Sequence, residues 1–180
     1  MPETERLLLR RFAPADADAF ATLNADPEVM CFIGDGRPLT RAQSDELLTR
    51  IAAHWRSHGF GLWCVAERSA PERCLGFAGL AVPSFLPEVM PAVEVGWRLA
   101  RDGWGRGLAT EAARAALDEA FGPLGLASVI SIIAEGNERS VRVADKLGMR
   151  RGADRLHPTR GRLRIYEIFS DDAASSSPPS

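Results

Sequence analysis

The run Asp102-Gly103-Trp104-Gly105-Arg106-Gly107-Leu108-Ala109-Thr110-Glu111 sets three glycines within five residues against the start of an alanine-rich segment. Glycines at 103, 105 and 107 let a backbone approach a ligand closely and adopt positive φ. A helix that opens there presents free N–H groups and the positive end of its dipole, which suits an anion. The dipole contributes about 0.3–1 kcal/mol at an exposed end and up to ~2 kcal/mol in partly buried geometry. Arg106 suits either a direct phosphate contact or a solvated surface position, and the whole run also fits a tight strand-to-helix connection. It is not a Walker loop, because no Gly-Lys-Ser/Thr follows. Nor is it a dinucleotide fingerprint, since the third glycine comes one residue too early for G-x-G-x-x-G.

The elements needed to position such a turn can be read from periodicity. Leu7, Leu9 and Phe12 nearly alternate with Arg10 and Arg11, which predicts a first strand. Pro14 to Asn24 reads as a helix with Phe20 and Leu23 on one face, broken at Asp26-Pro27 because a residue before proline is pushed out of the helical region. After the Gly34–Pro38 loop, Thr40 and Gln43 form a capping box. The helix they open runs to about His58, with Leu47, Leu48, Ile51 and Trp55 at helical spacing and Gly59 as its stop. Leu62–Glu67 and Cys74–Ala81 predict a hairpin, and Pro83, Pro87 and Pro91 punctuate a long loop. Val93–Leu99 is a strand leading into the glycine-rich turn and the helix at about Leu108–Phe121, whose alanines imply close packing on a sheet. Val129–Ile133 reads as a strand covered on both faces. Asn137 caps a helix with inward Ser140, Val143, Ala144 and Leu147, and Gly148 ends it. Two last strands fall near Arg151–Arg155 and Leu163–Phe169. Strand, turn, helix and strand at the centre form a crossover, which predicts a parallel, right-handed connection.

At 180 residues, 46% hydrophobic and 26% charged, the chain fits one globular domain with its own core. That composition argues against a wholly disordered, collagen-like or coiled-coil protein. A net charge of -2 lacks the bulk attraction for phosphate backbones that marks nucleic-acid binders. No apolar run approaches the ~18–20 residues of a membrane span, and Met1 to Arg11 does not read as a secretory signal. Cys31, Cys64 and Cys74 form no C-x-x-C pair and read as reduced cysteines in a cytoplasmic protein. His54 and His58 sit at i, i+4 without the glutamate pattern of a zinc helix, so no metal is expected. Residues 1–169 are read as the single domain. Residues 170–180, rich in Ser, Pro, Ala and Asp, are read as a disordered tail.

These pieces in this order resemble the GNAT superfamily of acetyl-CoA-dependent N-acetyltransferases, in the branch of the Rim-type ribosomal-protein N-terminal acetyltransferases. The resemblance runs from about Thr4 to Phe169. It takes in Thr4-Glu5-Arg6-Leu7-Leu8-Leu9-Arg10, Asp26-Pro27-Glu28-Val29-Met30, Gly76-Phe77-Ala78-Gly79-Leu80, Val93-Glu94-Val95-Gly96-Trp97-Arg98-Leu99, Trp104 to Ala112, and Asn137 to Met149. It implies an α/β fold with a mixed, largely antiparallel sheet, flanked by helices and splayed at a parallel central pair.

The resemblance also implies roles. The pyrophosphate loop of the family maps onto Trp104, Gly107 and Ala109, within a binding run Trp104, Gly105, Arg106, Gly107, Leu108 and Ala109. Trp97, Arg98 and Leu99 would hold the pantetheine arm and acetyl carbonyl through their backbone. Asn137 would contact the coenzyme, and Ser140 would stand near its sulfur. Ala144 falls where many members carry a tyrosine acid, and alanine donates no proton.

An attacking amine must be neutral, and a carboxylate of raised pKa can take its proton. Glu94, on the strand that enters the loop, is the candidate base; an outward strand residue or a structural ion pair is its alternative. Glu88 is a second candidate on a loop, and Glu111 suits a structural place in the first helical turn. Ser140 would hydrogen-bond the leaving thiolate or relay a proton, or else bond helix backbone. Trp55, Phe60, Trp63 and Trp97 fit a core or an acceptor site, and His157 lies between the last strands. The expected activity is acetyl transfer from acetyl-CoA to a primary amine of a protein N-terminus or small molecule. The alternatives are a non-catalytic acyl-CoA sensor of the same fold and a different nucleotide enzyme. Monomer and homodimer both remain open.

Overall fold

The computed structural model describes residues 2–171. Eight strands form one sheet: β1 (Leu7–Arg10), β2 (Leu62–Glu67), β3 (Gly76–Ala81), β4 (Glu94–Leu99), β5 (Ser128–Ala134), β6 (Arg150–Arg151), β7 (Arg155–His157) and β8 (Gly161–Phe169). Their order is β1-β2-β3-β4-β5-β8-β6, and β7 also pairs with β8. Every pairing is antiparallel except β4 with β5. The helices are α1 (Ala17–Ala25), α2 (Pro27–Met30), α3 (Arg41–His58), α4 (Leu108–Phe121) and α5 (Glu138–Lys146).

The core follows the sequence pattern. Ala112, Ala113, Ala116 and Ala120 of α4 are fully buried, and α4 lies against β3 and β4. Small side chains let a helix approach a sheet closely, so packing there is dense. α3 opens with the expected capping box: Gln43 N–H donates to Thr40 Oγ1 at 3.3 Å, and Thr40 N–H donates to Gln43 Oε1 at 2.8 Å. α1 and α3 pack against each other. They share a buried hydrogen bond of 2.9 Å from Asn24 Nδ2 to Ser44 Oγ.

Three local features differ from the sequence expectation. Asp26-Pro27 starts a helical turn as well as breaking one, because Asp26 Oδ1 accepts the Glu28 N–H at 2.9 Å and proline fits the first helical position. The strand expected over Arg151–Arg155 divides into β6 and β7. Between them Gly152 N–H donates to the Ile165 carbonyl, and Asp154 accepts from Arg151 and Arg162. The proline-rich loop contains a 3-10 turn, Pro87–Val89, next to Leu86, which anchors a second apolar cluster with Ile130, Leu163 and Ile165. Of the expected tail, Ser170 donates its N–H to the Ala127 carbonyl, and residues 172–180 lie outside the described residues.

Candidate active site

β4 and β5 share a single register pair, Glu94 with Ile130, closed by the Ile130 N–H donating to the Val93 carbonyl at 2.9 Å. Beyond it the strands part. Residues along a strand direct their N–H and C=O groups alternately to either neighbour. Arg98 pairs with Phe77 of β3, and Ala100 N–H donates to Leu75. The N–H groups of Trp97 and Leu99 therefore face the gap. Of the three residues expected to act through their backbone, Trp97 and Leu99 are so placed. The backbone of Arg98 faces β3, and its side chain reaches the site instead.

Two cavities meet at this gap. The first, about 380 Å³, lies between the glycine-rich turn and α5. Gly105 and Gly107 have φ of +71° and +78°, a region that side chains disfavour. Gly107 is the N-cap of α4 and supplies no side-chain cap, which leaves the first N–H groups of the helix available to a ligand. Trp104 fixes the turn by donating its Nε1–H to the Leu99 carbonyl at 2.8 Å. Arg139 lies 3.9 Å above the Trp104 ring. Leu108 and Ala109 line this cavity, as do Arg139, Arg142 and Lys146 from one side of α5. Arg106 does not line it. Its guanidinium grips Glu67 at 2.9 and 2.6 Å, so the loop arginine fastens the turn to β2. Glu111 is similarly structural. Burial opposes its charge, but Thr4 and both the backbone and side chain of Arg6 donate to it and hold its carboxyl below the usual range.

The second cavity, about 250 Å³, lies on the far side of β4. Phe32, Phe77 and Phe85 make its walls, with Glu94, Gly96, Arg98 and Arg160 among them. Although Glu94 opens onto this space, protein encloses its carboxyl. Burial pushes its pKa up to about 7, and the Ile132 N–H and the Arg160 charge offset that only in part. Phe32, Ile33, Trp97, Arg98, Asn137 and Ser140 line both cavities. Asn137 Oδ1 accepts the Ser140 N–H at 3.3 Å and caps α5, which fixes Ser140 where the two spaces join.

Other candidates lie elsewhere. Glu88 is exposed on its 3-10 turn and lines neither cavity. Trp55 and Trp63 are core residues with rings 5.2 Å apart, and Phe60 packs against His54. His54 accepts the Val82 N–H at Nε2, so its Nδ1 carries the proton toward the Phe60 carbonyl. His157 stands beside Phe85, with ring centroids 6.2 Å apart, outside the cavity itself. Ala144 is fully buried.

The acetyltransferase (GNAT) domain model matches residues 6–150. The chain belongs to the GNAT family. It is 35% identical to the uncharacterized protein YkkB of Bacillus subtilis over 152 residues, 81% of this chain and 83% of that one. It is 25% identical to the uncharacterized N-acetyltransferase YoaA of Bacillus subtilis over 151 residues, 83% of this chain and 82% of that one. An acetyltransferase structure from Agrobacterium tumefaciens str. C58 superposes with a TM-score of 0.77 at 29% identity, covering 93% of this chain and 92% of that one. This GNAT protein is an N-acetyltransferase with the mixed, centrally splayed sheet of its family. No helix among the described residues is long and apolar enough to cross a membrane.

Sequence reasoning missed Arg139, Arg142 and Lys146, whose i, i+3 and i+7 spacing is a readable cationic stripe. It also missed Phe32, Phe85 and Arg160, which no local pattern joins to Glu94.

Proposed function

We propose that this GNAT protein transfers an acetyl group from acetyl-CoA directly to a primary amine, of a protein N-terminus or a small molecule. Its motifs favour the Rim-type branch, and the absence of a membrane-crossing helix among the described residues is consistent with work in the cytoplasm. The observation that carries this reading is the position of Glu94: a half-buried glutamate of raised pKa that opens onto the second cavity at the one point where β4 and β5 still pair.

Acetyl-CoA, when bound, supplies an acyl group activated as a thioester. The residues present fit it. The uncapped start of α4, with Gly105 and Gly107, suits the pyrophosphate, and Arg139, Arg142 and Lys146 suit further phosphate charge. Asn137 borders the path of the arm. The N–H groups of Trp97 and Leu99 face the gap, where they would polarise the acyl carbonyl. Glu94 takes a proton from the acceptor ammonium, directly or through a water, which frees its lone pair. The new C–N bond forms as the C–S bond breaks, and the electron pair leaves on sulfur. Ser140 would donate a hydrogen bond to that sulfur, which takes up the second proton as the acylated nitrogen sheds it to become the amide.

Calorimetric titration with acetyl-CoA, beside ATP and repeated on Gly107→Glu, tests the coenzyme site. Wild type should bind acetyl-CoA saturably and ATP not at all. The variant should lose binding, because its side chain is strained at φ +78° and adds negative charge where an anion must sit. Folded wild type that fails to bind acetyl-CoA would sink the proposal.

A further inference from the structure

The acceptor cavity has a charge pattern that narrows its substrate. Its lining holds one acid, Glu94, and two guanidinium groups, Arg98 and Arg160. Burial lowers the pKa of Arg98 to about 10 and lowers that of Arg160 as well, yet both stay cationic at neutral pH. With Glu94 ionised to act as base, the lining carries one more positive than negative charge. Such a chamber repels a polycation. Beside the polar Ser131, Asn137 and Ser140, the apolar walls Phe32, Phe77, Phe85, Leu47 and Leu62 favour an apolar body.

Arg98 is the better built of the two cations. Its Nη1–H donates to Asn24 Oδ1 at 2.5 Å, and Asn24 is itself oriented by Ser44 at 2.9 Å. Its guanidinium carbon lies 4.9 Å from the Phe77 ring centroid. Its Nε is buried with no hydrogen-bond partner. A buried donor left unmade is costly, and a carboxylate is the acceptor that best matches a guanidinium fork. Glu94, Gly96 and Arg98 alternate onto the same face of β4. A Cβ built on Gly96 meets nothing within 4 Å. An open floor therefore runs from the base to the unsatisfied guanidinium.

Resting on the acetyltransferase reading above, we infer that the acceptor is a small amino carboxylate with an apolar body. Its amine lies toward Glu94, and its carboxylate toward Arg98. Arg98 acts as a specificity residue and takes no part in the bond changes.

The test is thiol release from acetyl-CoA with matched acceptors: leucine against leucinamide, 6-aminohexanoate against hexylamine, and spermidine as the polycation. At least one acid should exceed its uncharged counterpart in kcat/KM by roughly tenfold or more, and spermidine should be poorest. Arg98→Gln should erase that preference by raising KM for the acid more than for its uncharged counterpart, both read at saturating acetyl-CoA. Gly96→Val, which fills the floor without strain, should raise KM for every amine. Counterpart amines or spermidine used as well as the acids would overturn the acceptor class and leave the transferase reading standing. Acetyl-CoA bound but no thiol released with any amine would overturn both. The wild-type comparison decides the matter even if Arg98→Gln does not fold.

Discussion

The two sides of β4 are built on different principles. The coenzyme side is made of backbone and local sequence: a glycine-rich turn, the uncapped start of α4, and a cationic stripe on α5. The acceptor side is made of side chains from segments far apart in the chain, with Leu47, Phe77, Glu94 and Arg160 brought together only by the fold. The first suits a ligand that is constant across a family. The walls that belong to the second alone, among them Phe77, Phe85 and Glu94, can change without disturbing the first. The comparison predicts that variants on one side should move one ligand's parameters and spare the other's.

Glu94→Gln should have the largest effect, lowering kcat/KM by about 10²–10⁴-fold with little change in acetyl-CoA affinity by calorimetry. In wild type, kcat/KM should rise with pH through about 7 as Glu94 ionises, and in the variant that limb should vanish. Stability should show the opposite sign. The folded pKa lies above the ordinary carboxylate value, so between roughly pH 4.5 and 7 the folded state holds more of the Glu94 proton than the unfolded state does. This group's contribution is present at low pH and is lost as pH rises through about 7. Denaturant melts across that range should show a decline that Glu94→Gln lacks. An unchanged limb in the variant would move the base elsewhere.

Replacing Arg139, Arg142 and Lys146 together with alanine should weaken acetyl-CoA binding by roughly 10–100-fold, because charge-assisted contacts to phosphate are lost. It should also flatten the salt dependence of binding. The acceptor KM should stay within about twofold on the separation argued here. If it moves in step, the two sides are one site and the comparison fails.

Ser140→Ala should cost least, about tenfold or less in kcat, the range of one neutral hydrogen bond. Steady-state kinetics beside a retained coenzyme affinity would measure it. A loss as large as that of Glu94→Gln would make Ser140 an obligate proton donor.

How much was legible follows the same divide. The capping box at Thr40, the alanine face of α4 and the parallel crossover through the glycine-rich turn are written in consecutive residues, where propensity and periodicity act. Glu94 could be picked because it shares a strand with the turn. Its raised pKa could not be read, because both the burial that raises it and the Ile132 and Arg160 contacts that partly offset it come from segments distant in the chain. Arg106 misled for a related reason: in sequence it belongs to an anion-binding turn, but in space its nearest carboxylate is Glu67 on β2. Arg98 looked like a backbone contributor until the strand alternation assigned its N–H to β3. The split of the expected Arg151–Arg155 strand turned on Asp154, whose partners Arg151 and Arg162 are a tertiary matter.

The single register pair between β4 and β5 also governs how β4 meets solvent deuterium. Arg98 has its amide locked in the ladder with β3, so it should exchange only when the sheet itself opens. Trp97 and Leu99, its immediate neighbours, direct theirs into the gap. In the free protein β4 should therefore show slow and fast amides in strict alternation past Val95, whose own N–H is held by the last pairing with β5, a protection pattern ordinarily seen at a sheet's outer edge but here written into its centre.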